Sequence, residues 1–311
     1  MVKENIKKGI IFGFFANCFI GLQPIVANAR PEYIDPFFYA ALTVLFESVV
    51  FLPIMIIKRR KIKNDFNDGL ISQEDFYSLL YGYRKNKLVL IFIGAVFGMG
   101  QILFFIGYRL AGSINGSLAQ KSTIFFSLLF GFLFLKEKIT KLQILFSIFL
   151  FFGLIIAVTE GSFNLLTLNL GVLVIIILTC MWTIAHTLTK PIFEKNEGFP
   201  SQIVVIRNGI GAVILFSIFF IIFPIQVINM LLDPVYVFWG FAMGATYSIG
   251  LFFWYQTLSS LDVSKASILV SPTPVVTALF ATLLLHETFT FFDFLGTLII
   301  IVSIIIIMRE K

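Results

Sequence analysis

Charge is what this sequence has least of. Of 311 residues only 13% are charged while 59% are hydrophobic, and the mean hydropathy is +0.98. A soluble domain carries about 25% charged residues, so this chain cannot cover a water-facing surface. The same apolar excess excludes disorder. Histidine and cysteine are equally scarce, at two each. Cys18 and Cys180 sit inside apolar runs and read as small hydrophobes. Without a Cys/His cluster no metal site is expected. The chain has no Gly-x-Ser-x-Gly, no His-Glu-x-x-His and no P-loop, and no Asp lies in the interior of an apolar run. The expectation is therefore a non-enzyme with no cofactor.

What is present is length of apolar run. A membrane-crossing helix needs about 20 apolar residues. Ten segments meet this: 9–28, 36–57, 88–108, 112–135, 139–159, 168–189, 201–223, 235–258, 264–285 and 290–308. The fold class is thus an all-α polytopic membrane protein with ten transmembrane helices. Its 39 Phe suit lipid contact. Ala27-Asn28-Ala29 resembles a signal-peptide cleavage site, but the apolar stretch before it is too long for one.

The net charge of +6 records topology. With the N-terminus placed in the cytoplasm, nineteen Lys and Arg fall on inside segments, and only Arg30 and Arg109 fall outside. Lys121 and Arg207 lie within spans. The positive-inside rule then puts both termini in the cytoplasm of a plasma (inner) membrane protein, and no nucleic-acid partner is implied. Residues 58–87 form the one sizeable soluble segment. Ser72-x-x-Asp75 resembles a capping box, and Phe76, Leu79, Leu80 and Tyr83 follow at helical spacing. This predicts a short amphipathic helix on the inner leaflet, with the basic run 58–63 at anionic head groups.

The chain repeats itself. Shifted by 150 residues, 112–137 falls on 262–287, so that Ser117 meets Ser267, Thr123 meets Thr273 and Glu137 meets Glu287. Ile139-Thr140 then lies over Phe289-Thr290. Gly94-x-x-x-Gly98 corresponds to Gly240-x-x-x-Gly244, and Gly9 to Cys18 corresponds to Gly171 to Cys180. The chain reads as two five-helix halves, 1–160 and 161–311. An odd number of spans per half makes the second half run through the bilayer inverted, a recurring design of secondary transporters. The two Gly-x-x-x-Gly pairs predict close helix packing.

This 5+5 inverted repeat, with Lys136-Glu137 and His286-Glu287 ending the fourth span of each half, resembles the drug/metabolite transporter superfamily, and within it the EamA-type ten-helix transporters. Ser271-Pro272-x-Pro274 followed by Leu285-His286-Glu287 is similar to a family ending; the first half departs from it with Ser122 in place of Pro272. The resemblance implies a cavity lined mainly by spans 1, 3, 4, 6, 8 and 9. It also implies cargo among amino acids, related metabolites, drugs, nucleotide sugars or sugar phosphates.

Ionisable residues at bilayer depth are expensive, roughly 2.5–3.5 kcal/mol each on insertion scales, and are functional candidates by default. Lys121 lies near the middle of span 4 and Glu47 near the middle of span 2. Lys121 reads as a ligand for a substrate anion, or as the ion-pair partner of Glu47. Glu47 and His186 read as proton-coupling or ion-pair groups. Arg207, in the first two turns of span 7, reads as a residue that snorkels to the interface. Gln101, Tyr247, Ser271, Trp182 and Trp254 lie on candidate cavity spans and complete the expected substrate-binding set. The resulting expectation is a secondary transporter of small polar metabolites, such as amino acids, working by alternating access. The alternatives are a sugar-phosphate or nucleotide-sugar exchanger, and a non-transporting membrane sensor or scaffold.

Overall fold

The computed structural model describes residues 6–136, 138–163, 169–260 and 272–309. Every regular element among them is a helix: α1 (Ile6–Ala29), α2 (Pro36–Asn67), α3 (Gln73–Tyr81), a 3₁₀ turn (Gly82–Asn86), α4 (Lys87–Ala111), α5 (Ser113–Gln120), α6 (Thr123–Leu135), α7 (Lys141–Val158), α8 (Leu170–Glu194), α9 (Pro200–Ile222), α10 (Pro224–Leu232), α11 (Pro234–Ser260), α12 (Thr273–Leu284) and α13 (Phe291–Arg309). Among the described residues, eight helical segments are long and apolar enough to cross a membrane, and two shorter apolar helices, Thr273–Leu284 and Phe291–Ile307, occupy the ninth and tenth places.

Local chemistry sets the ends. Asp35 accepts from the amides of Phe37 and Phe38, both at 2.9 Å, and Pro36 opens α2 with its φ already fixed. Helix α2 then runs to Asn67, ten residues past the expected end of the second span at residue 57. The apolar count marks where the bilayer ends, whereas the helix continues until a breaker arrives. That breaker is Gly69, left-handed at φ 71°. Helix α3 forms where expected: Ser72 accepts from the Asp75 amide at 3.1 Å, and its hydroxyl donates to the Asp75 carboxylate at 2.7 Å. Its apolar face packs on the protein. Leu80, Phe76 and Leu79 pack on Ile62, Met55 and Phe199. Ile62 belongs to the extension of α2, within the segment 58–87 that the apolar pattern assigns to a loop.

The 150-residue repeat is visible in the backbone. Lys136 and His286 both take left-handed φ, at 57° and 55°. Thr140 and Thr290 both cap the next helix: each side chain accepts from the amide three residues on, Gln143 or Asp293, and each of those side chains bonds back to the cap. Helices α6 and α12 begin at Thr123 and Thr273, again one shift apart.

The chain divides into two compact units, each drawing on both halves. One comprises Met1–Pro31, Leu103–Thr183 and Ile249–Lys311; the other comprises Glu32–Ile102 and Ile184–Ser248. In the first, α7 and α13 cross closely. A Cβ at Gly153 would meet the Gly296 carbonyl oxygen at 3.0 Å. In the second, α2 and α9 pack along each other, flanked by the two Gly-x-x-x-Gly helices. A Cβ at Gly98 would lie 3.0 Å from the Gly211 Cα, and one at Gly94 2.8 Å from the Arg207 carbonyl oxygen. Symmetrically, a Cβ at Gly240 or Gly244 would press on Leu42 or Phe46 of α2. Both glycine pairs thus let backbones approach, as expected.

Candidate functional site

The first unit carries a broken helix. Span 4 was expected to be one run over 112–135. It is instead two helices, α5 and α6, separated by Lys121 and Ser122. The amides of Lys121, Ser122 and Ile124 bond three residues back, to Leu118, Ala119 and Lys121 oxygens at 3.0, 3.0 and 3.1 Å. Such tightening exchanges the α ladder for a 3₁₀-type turn. Neither residue at the break is Gly or Pro; hydroxyls hold it instead. Ser122 shares a 2.7 Å hydrogen bond with Thr179 of α8, and Thr123 donates to the Gln120 carbonyl at 2.7 Å. One shift on, Thr273 at the start of α12 donates to the Asn17 side-chain oxygen at 2.8 Å. Asn17 and Thr179 correspond in the Gly9/Gly171 alignment. Each half therefore anchors the opposite half's fourth helix with a polar side chain from its own first helix.

Helix α5 starts as deliberately as it stops. Gly112 has φ 78°, and a Cβ there would come within 3.3 Å of Glu287. The Glu287 carboxylate accepts from the Ser113 amide at 2.9 Å to each oxygen and from Ile114 at 3.1 Å. An acid on the first N–H groups of a helix complements the positive end of the helix dipole. Along the helix, the Tyr108 ring fills the space above Gly116 and its hydroxyl donates to the Gln120 side-chain oxygen at 3.0 Å. Phe104 sits 4.5 Å from Tyr108 and stacks at 5.9 Å on the buried Trp182. Lys121 closes α5, partly buried at the break. Trp254 is partly exposed on α11. Ser271, the counterpart of Lys121 in the repeat, lies outside the described residues.

The second unit holds a buried charge pair. Glu47 of α2 lies 3.7 Å from Arg207 of α9, and each is 3% exposed. The partner of Glu47 is thus Arg207, where the sequence reading had weighed Lys121. The expected snorkelling of Arg207 is overturned with it. Its guanidinium lies 3.8 Å above the Phe97 ring of α4, so a cation–π contact and an acid hold it inside. Asn208 reaches toward the same carboxylate, and Tyr247 of α11 stands within electrostatic range of both charges. The His186 ring of α8 meets the Phe97 ring edge-on, with centroids 5.1 Å apart. Gln101, one turn on from Phe97, is buried with its amide nitrogen unpartnered among the described residues.

The expected residues therefore separate by unit: Lys121, Trp182 and Trp254 in the first, and Glu47, Gln101, His186 and Tyr247 in the second. Arg207 and Asn208 were missed as members of the charged cluster. A signal existed, because spans 2 and 7 are counterparts in the repeat and each carries one deep charge of opposite sign.

A polytopic chain of two five-helix repeats, with a fourth helix interrupted at bilayer depth around an intramembrane cation, is built as a membrane transporter. The comparisons agree. The EamA-like transporter family matches residues 7–159 and again 169–309, and the chain belongs to that family. "Uncharacterized transporter YyaM" of Bacillus subtilis (strain 168) is 26% identical over 230 residues, covering 71% of this chain and 73% of that protein. A solved crystal structure, described only as that of a protein, shares the fold at 13% identity. Its TM-score is 0.62, with 96% of both chains covered.

Proposed function

We propose that this transporter moves a small polar metabolite bearing an anionic or zwitterionic group, such as an amino acid, by alternating access around a midplane cavity. The observation that carries this reading is the break at Lys121–Ser122. The break places a cation within a span, beside a helix end, where the acidic group of a cargo can meet it. Lys121 would bind the acidic group of the cargo. A single cation suits a carboxylate better than a phosphate, which sets amino-acid-like cargo ahead of sugar phosphates.

The cell context follows from charge. The nineteen-to-two division of basic residues supports a plasma (inner) membrane location with both termini in the cytoplasm. The exposed Lys58, Arg60, Lys61 and Lys63 on the α2 extension would then face anionic head groups of the inner leaflet. The test is reconstitution in liposomes with a panel of labelled metabolites covering amino acids, organic acids and sugar phosphates. Uptake or exchange of an amino acid supports the reading, preference for a sugar phosphate replaces the cargo, and no flux of any solute overturns it.

A further inference from the structure

The turn at Lys121–Ser122 is held from outside its own helix. Hydroxyls within helices ordinarily bond back to a carbonyl of their own preceding turn. Ser117, Ser147, Thr159 and Thr189 do so here, to Ile114, Gln143, Ile155 and Ala185 at 2.7–2.8 Å. Ser122 instead reaches across to Thr179 of α8 at 2.7 Å, and the two residues are 0% and 1% exposed. Proton count gives that bond its direction. The Thr179 hydroxyl donates to the Ile176 carbonyl at 2.8 Å. A hydroxyl carries one proton, so Thr179 accepts from Ser122, and Ser122 has none left for its own helix. The counterpart of Ser122 in the repeat is Pro272, which has no hydroxyl. The bond therefore belongs to the half that carries Lys121.

The turn decides where Lys121 points. Lys121 and Ser122 have ψ of −11° and −17°, against about −42° in an α-helix. A 3₁₀ turn advances about 120° and 2.0 Å per residue, an α-helix about 100° and 1.5 Å. Lys121 thus leaves α5 about 20° round from its place in a continuous helix. Over the length of a lysine side chain that rotation moves the ammonium by about 2 Å, far outside the spread of about 2.7–2.9 Å found for charge-assisted bonds.

We propose that Thr179 is a positioning residue for Lys121: by accepting from Ser122 it keeps the two-residue turn open and so fixes where the ammonium stands. Without that acceptor, Ser122 turns its proton to a carbonyl of its own preceding turn, the α ladder closes through the break, and the ammonium moves. This rests on the proposed role of Lys121 only for its effect on cargo; the effect on the ammonium is independent of that role.

The test acylates the purified full chain in detergent with an N-hydroxysuccinimide ester of acetic acid across a pH series. Acylation of Lys121, which is partly exposed, is read by peptide mass spectrometry. Thr179→Val keeps the side-chain shape and removes the hydroxyl. It should move the pH midpoint of Lys121 acylation by about half a unit or more. Ser122→Ala should move it in the same direction, and the double variant no further, because both act through one bond. Thr179→Ser restores an acceptor and should return the wild-type midpoint. Where Thr179→Val fails to fold, Ser122→Ala and Thr179→Ser carry the comparison.

A role confined to packing would lower the unfolding temperature and leave the midpoint in place. An unmoved midpoint in the folded variants overturns the positioning role, and so does a shifted midpoint in Thr179→Ser. For each transported member of the amino-acid, organic-acid and sugar-phosphate panel, Thr179→Val should weaken binding about 10-fold and Thr179→Ser less than about threefold. The two proposals fail separately. A shifted midpoint, with transport that ignores Lys121→Ala, sinks the cargo reading alone. Transport that needs Lys121, with an unmoved midpoint, sinks the positioning role alone.

Discussion

Removing one member of the Glu47–Arg207 pair leaves a charge buried opposite nothing. At 3.7 Å and an effective dielectric of about 20, the pair attraction is about 4–5 kcal/mol. Breaking a buried pair by deleting one partner characteristically costs about 3–5 kcal/mol, whereas deleting both can be nearly neutral. A double-mutant cycle therefore has a distinctive shape. Glu47→Gln and Arg207→Gln should each destabilise the protein by about 3 kcal/mol or more, and the double variant should recover most of that loss. Arg207→Gln also forfeits the Phe97 contact, so the Arg207 single variant should be the worse by about 0.5–2 kcal/mol. Unfolding of the purified protein by added denaturing detergent, followed by circular dichroism, reads all four corners. Additive losses, or single losses under about 1 kcal/mol, would refute the claim that the two charges hold each other inside the membrane.

Three further outcomes follow from close contacts. Gly98→Ala places a Cβ 3.0 Å from the Gly211 Cα and should cost about 1–3 kcal/mol, whereas Gly209→Ala, whose Cβ would have only Ser48 Oγ at 3.8 Å, should be neutral or slightly stabilising in the same unfolding assay. Gly112→Ala must take φ 78° against Glu287 and should lose about 1–2 kcal/mol. Glu287→Gln keeps an acceptor at the α5 amides but removes the charge, so its loss should be smaller, about 0.3–2 kcal/mol; a larger loss than for Gly112→Ala would argue against helix capping as the role of Glu287.

Much of the architecture was legible because membrane burial writes itself into composition. Ten apolar runs, the 150-residue shift and both glycine pairs could be read directly, and the paired caps at Thr140 and Thr290 show that the repeat reaches individual hydrogen bonds. Three features were not legible. The break in span 4 carries no Pro, the residue that marks such a break in sequence; Pro stands at 272 while the first half has Ser122. There a hydroxyl bonded to Thr179 holds the break. The partner of Glu47 escaped because depth along a helix says nothing about which face turns to which neighbour. Only the packing of α2 on α9 selects Arg207. The extent of α2 was underestimated for a similar reason, since polarity ends a span but not a helix.

The central claim is that Lys121 receives the acidic group of the cargo. The most direct measurement is the affinity of the transported solute, once the liposome panel has identified it, for wild type, Lys121→Ala and Lys121→Gln. Loss of a charge-assisted bond predicts roughly 10- to 100-fold weaker binding in both variants, with folding preserved. Unchanged affinity in folded Lys121→Ala would contradict it.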